Sequence, residues 1–204
     1  LAKMATGVDG VIITYDASGN PVHVGPGTDG QLLTSTGAGS PPAFEDAAGG
    51  GFTLGTEQTA SGSSITFSGI PSGVTFIILS FFAVSKAAGG SMEVQLGDAG
   101  GIETTGYVSV GLALKAGPMI ERQSSTTSFN VPKFDPGGDY SGQMFLSLKD
   151  AATFEWSSSS KIAFTTTSVM ISGGSKGLSA ELTQLKIIAT STTFNGGTFN
   201  IMYQ

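Results

Sequence analysis

From Phe52 onward apolar residues recur at every second position, and no stretch carries a helical period. The alternation is clean in Met92, Val94 and Leu96, in Val108, Val110, Leu112 and Leu114, in Met144, Leu146 and Leu148, and in Phe199, Ile201 and Tyr203. Successive side chains of a strand point to opposite faces, so each run buries one face and leaves the other wet or lightly covered. Strand patterns are expected over 64–68, 74–84, 92–96, 107–114, 143–148, 162–171, 182–189 and 198–203. Turn signals separate them, among them Pro71-Ser72-Gly73, Gly89-Gly90, Gly173-Gly174 and Asn195-Gly196-Gly197. Short strands about a dozen residues apart predict an all-β chain with an antiparallel β-sandwich, jelly-roll-like in its connections. Composition fits: Gly supplies 31 residues, and the 39% hydrophobic fraction is ample for a core.

The segment 74–84 is apolar on both faces. Val74, Phe76, Ile78, Phe82 and Val84 are expected on one, and Ile77, Leu79, Phe81 and Ala83 on the other. The first set is assigned to the sandwich core. The second, with Ile77, Leu79 and Phe81, is expected at a contact between subunits of a homotrimer. Charged residues make up only 12% of the chain, against about 25% in ordinary domains. A chain that hides surface against copies of itself needs less charge than a lone monomer.

Residues 1–48 read differently. Gly7-Val8-Asp9-Gly10 aligns with Gly27-Thr28-Asp29-Gly30 at a twenty-residue offset, and Ile12-Ile13-Thr14 aligns with Leu32-Leu33-Thr34. Gly19 then matches Gly39, Pro21 matches Pro41, and Val24 matches Phe44. Asp-Gly makes a tight turn, and the apolar pair makes a short strand. Such a unit cannot bury its own apolar residues and draws stability from neighbours, here from other chains. A short repetitive β stalk (1–48) is therefore expected before the β-sandwich head (49–204), with Ala47-Ala48-Gly49-Gly50-Gly51 as a hinge.

Several function classes are disfavoured. The nine basic residues are scattered and the net charge is −6, so nucleic acid is not an expected partner. There is no cysteine, hence no disulfide framework or thiolate metal site. No apolar run reaches the roughly 18–20 residues of a membrane helix. No signal-peptide pattern is visible, and Leu1 in place of Met sets the expectation that sequence precedes it. No cofactor is expected.

Catalytic constellations are sparse. His23 is the one histidine, too few for a Ser–His–acid triad or a histidine-rich metal site within one chain. Paired carboxylates suited to glycan cleavage are Asp135 with Asp139, and Glu93 with Asp98 or Glu103. Asp135 and Asp139 lie in a Pro- and Gly-rich loop, where Asp serves turns. Gly173-Gly174-Ser175-Lys176-Gly177 lacks the Gly-Lys-Ser/Thr ending of a phosphate loop. No enzyme is expected. For binding, aromatic and acidic groups together suit sugar recognition, which marks Phe134, Asp135, Asp139 and Tyr140. Trp156, the one tryptophan, reads as a core anchor or as a sugar-stacking platform.

The phrases "TYDASGNPV" (Thr14–Val22) and "GTDGQLLTSTGAGSPPAFEDA" (Gly27–Ala47) resemble the segment before the head of many bacteriophage tail fibre proteins. "FSGIPSGV" (Phe67–Val74), "VQLGDAGGIETTGY" (Val94–Tyr107) and "FNGGTFNIMY" (Phe194–Tyr203) resemble the C-terminal domains of the same group. The resemblance implies a homotrimeric virion fibre whose head contacts the host surface through a glycan or protein receptor. Its N-terminal end would meet other virion proteins. A capsid-mounted fibre or decoration protein is the alternative, and a glycan depolymerase a distant third.

Overall fold

The computed structural model describes residues 8–46, 51–114, 120–134 and 138–204, at 133 and 134 the backbone alone. Most of the expected hinge, residues 47–50, lies outside them, as does Asp135. The chain divides into two compact units, Leu1–Gly51 and Phe52–Gln204. All regular structure in the described residues is strand.

In the first unit, β1 (Ile12–Tyr15) pairs antiparallel with β2 (Pro21–Val24), and β3 (Gln31–Thr34) pairs with β4 (Ala43–Asp46). Each is a separate two-stranded sheet. The first turn is made by Asp16, whose carboxylate accepts from the N–H groups of Ser18 and Asn20, both at 2.9 Å. Gly19 follows at φ +78°, a conformation L side chains rarely adopt. The two copies of the sequence pattern are not identical hairpins. Ile12 stands opposite Val24, whereas its counterpart Leu32 stands opposite Glu45, one residue beyond Phe44.

The second unit begins with β5 (Thr53–Leu54), β6 (Gln58–Thr59) and β7 (Ser64–Ser68), followed by β8 (Phe76–Lys86) and β9 (Gly90–Asp98). Next come β10 (Gly101–Ile102), β11 (Tyr107–Leu114), β12 (Ile120–Ser125) and β13 (Phe129–Phe134). β14 (Tyr140–Asp150), β15 (Glu155–Phe164), β16 (Ser168–Gly177), β17 (Gln184–Ala189) and β18 (Phe194–Tyr203) complete it. One sheet runs β12-β11-β16-β15-β14-β8-β18, with β5 and β6 both on the far side of β18. The other runs β10-β9-β17-β7, and β13 pairs β9. All pairings are antiparallel.

The two sheets pack as a sandwich. Leu79, Phe81, Met144, Leu146, Ile162 and Phe199 of the large sheet meet Met92, Val94, Leu96, Leu185 and Ile187 of the small one, all buried. Where β13 crosses the large sheet, that sheet carries small residues instead. A Cβ on Gly111 would lie 2.6 Å from Pro132, and one on Gly174 would lie 3.2 Å from Phe129 and 2.1 Å from the Val108 carbonyl. Glycines at these positions let one backbone approach another.

Three sequence expectations need correction. The run expected as one strand over 162–171 is a hairpin, turned at Thr165–Thr167 between β15 and β16. β12, β13 and most of β15 were not anticipated, because Ile120–Ser125 and Trp156–Ser160 are too polar to show an apolar alternation. The faces of β8 are also reversed over its first half. Ile77, Leu79 and Phe81, expected at a subunit contact, are 0%, 0% and 3% exposed and belong to the core, whereas Phe82 is 73% exposed. A bulge accounts for the reversal: Phe82 and Ala83 together oppose Ser141, with Ala83 at φ 48°. Val84 thereby returns to the core alongside Phe81. A plain alternation read back from Val84 assigns the preceding residues to the wrong face.

Candidate interaction surfaces

The residues expected at a receptor contact scatter. Asp139 is exposed at the entry to β14. Its neighbour Tyr140 is 1% exposed, stacked edge-on against Phe164 at 4.9 Å with the Lys86 ammonium 5.0 Å from its ring. Phe134 pairs with Gly90 through its backbone. Trp156 is 1% exposed, so the core-anchor reading holds and the sugar-platform reading is corrected. The indole lines a cavity of about 250 Å³ with Val74, Leu148, Phe154 and Leu182. Four serines follow it in sequence, which made it look exposed.

Of the carboxylates singled out by sequence, Asp98 and Glu103 do come together. The Ser179 hydroxyl lies 2.7 Å from both Asp98 Oδ2 and Glu103 Oε1, and the Ser179 N–H donates to Glu103 Oε1 at 2.7 Å. Lys176, 4% exposed, donates to Glu103 Oε2 and to the Gly177 carbonyl, with its ammonium 5.4 Å from the Tyr107 ring. Glu93 stands on the opposite face of β9 from Asp98 and takes no part. Burial pushes the Glu103 carboxyl up, but the bonds from Lys176 and Ser179 outweigh it and hold it below the usual range. The Ser179 hydroxyl and the Gly100 N–H do the same for Asp98. Tyr107, buried with its hydroxyl between Leu96 N and Glu103 O, is pushed up to about 12 by that burial. A general acid for glycan cleavage needs one carboxyl raised toward neutral pH. This pair, both lowered, instead forms a clasp tying the β16–β17 connection to the β9–β10 hairpin.

A second cavity, of about 340 Å³, opens between the β5–β6 segment and β7. Thr56, Gln58, Thr66, Ser68 and Tyr203 line it, with no charged group among the lining residues. His23 is exposed on β2 opposite Ile13. Among the described residues no cluster of three acid, histidine or cysteine side chains is placed to hold a metal.

Two surfaces stand out by being apolar and open. In the first unit Ile13, Tyr15, Leu32 and Leu33 are 44%, 65%, 56% and 46% exposed. In the second, the outward face of the large sheet carries Val108, Val110, Ile120 and Ile171 near one end and Leu54 and Phe82 near the other. Register places Ile171 beside Leu112, and Leu112 beside Arg122. The alternation of β11 is a further correction: Val108, Val110, Leu112 and Leu114 were expected on the buried side, but Tyr107, Ser109, Gly111 and Ala113 face the core, where β13 packs closely and leaves room for small side chains at Gly111.

Comparison with protein-family models, with curated proteins and with solved structures finds no match to this chain.

Proposed function

We propose that the chain is a structural and adhesive part of a bacteriophage fibre, a homotrimer with a repetitive stalk and a β-sandwich head. The observation that carries this reading is the first unit. In its two hairpins of four-residue strands no apolar side chain is buried: Ile12, Val22, Val24 and Phe44 are half-buried, and Ile13, Tyr15, Leu32 and Leu33 are exposed. An isolated two-stranded hairpin is marginally stable in water, and three or more strands with a shared apolar face are needed for independence. Copies of the same chain, wound about a common axis, supply those missing strands. The resemblance of residues 14–47 to the segment before fibre heads points to the same arrangement. The head would then present its loops, with Asp139 among them, to a host-surface glycan or protein.

The test is proteomic and by microscopy. The chain should be found in density-purified particles of the virus that encodes it, and antibody against it should decorate thin appendages. Decoration of the capsid shell would favour a head fibre or decoration protein. Absence from the particle would refute the virion reading.

A further inference from the structure

Resting on the self-association proposed above, we infer that the outward face of the large sheet is covered in solution by another copy of this chain. The argument begins with charge. The chain carries 15 acidic residues and a net charge of −6, yet no carboxylate stands among the described outward positions between the margins of this face. Glu155, paired with Lys149, Asp150 opposite it at the end of β14, and Glu57, bonded by Thr198, lie at its margins. Lys161 and Arg122 are the charged side chains within it. Two copies of an acidic protein repel wherever carboxylates meet, and this face lets them meet without doing so. Interface centres are depleted in charge in the same way.

Area supports the same occupant. Adjacent strands lie about 4.8 Å apart and alternate residues about 6.8 Å apart along each strand, so from β12 to β5 the face measures about 34 Å by about 20 Å. That is about 700 Å², close to the roughly 800 Å² per partner of a stable protein interface. At one end the apolar side chains adjoin, with Leu112 opposite Ile171, and the central strands present uncharged Ser157, Ser159, Ser141 and Gln143 beside Lys161. Sheets pack in this manner on other sheets, their side chains interdigitating. A nucleic acid would need cations the face lacks.

Because the chain has no cysteine, single-cysteine variants of the whole protein report cleanly on exposure. Val110→Cys probes the face, and Thr166→Cys, in the exposed β15–β16 turn, is the control. With the mass measured in parallel, the expected result is an oligomer in which V110C reacts with maleimide about ten-fold more slowly than T166C. Adding Ile171→Glu to V110C should bring its rate to the control value while Trp156 fluorescence stays that of the folded head. An oligomer in which V110C and T166C react alike overturns this inference and leaves the fibre reading standing. So does protection that survives I171E in a folded protein. A monomer overturns both.

Discussion

Replacing Phe81 by Ala tests which face of β8 is the core. Phe81 is 3% exposed and meets Phe199 edge-on with ring centroids 5.3 Å apart. Removing the phenyl ring strips about 130 Å² of apolar surface from the core, about 3 kcal/mol at 25 cal/mol per Å². The cavity left behind and the lost ring pair bring the total to about 4 kcal/mol. Single domains are stable by about 5–15 kcal/mol, so the head should survive but melt far more easily. With a urea slope near 2 kcal/mol per M, the midpoint should fall by about 2 M. Fluorescence of Trp156 reads the head alone, since this buried residue is the one tryptophan. Phe82→Ala, one residue along and 73% exposed in the single chain, should lower the midpoint less than F81A does, since it loses only what this side chain gains from the covering copy. Both are measured over a range of protein concentrations, which separates folding from association. If F81A costs less than F82A, the bulge at Phe82–Ala83 is misplaced and the faces revert to the plain alternation.

Glu103→Gln removes the charge opposite Lys176, which is 4% exposed, and should destabilise the head by about 3 kcal/mol, the cost of a buried cation losing its partner. The same residue gives a pH signature. Its folded pKa lies below the ordinary carboxylate value, so its contribution is present above that value and lost as pH falls through the lowered one. Wild-type stability should therefore drop in that acid window and E103Q should drop less, as read by urea titrations at stepped pH; equal slopes would refute the clasp. Gly174→Ala puts a Cβ 2.1 Å from the Val108 carbonyl, and should cost about 2–3 kcal/mol by calorimetry, with a neutral result contradicting the close approach of these strands.

How much was legible depended on whether burial left a mark in the residue types. β14 and β18 were found because their inward residues are large and apolar, and β11 was found by an alternation whose valines and leucines face outward, with Tyr107, Ser109, Gly111 and Ala113 turned to the core. β15 hid because its inward positions include Ser158 and Ser160, 8% and 7% exposed, kept small where β13 packs overhead. β12 hid because an edge strand facing water needs no apolar alternation. The faces of β8 could not be assigned from an apolar run with no polar side, and a one-residue bulge then reversed the guess. At the candidate sites, Asp98 and Glu103 were found, but their partners Lys176 and Ser179 lie more than seventy residues away along the chain. Local patterns cannot report such a contact. Tyr140 was misread, and Trp156 was left between core anchor and sugar platform, because aromatic residues serve cores and binding sites alike.

The mass of the full chain in solution, by light scattering over a hundredfold range of concentration, tests self-association most directly. We predict a constant value three times the 20.6 kDa chain mass. A constant value of one chain mass would contradict it, because the hairpins and the outer sheet face would then stand open to water as they do in the single chain.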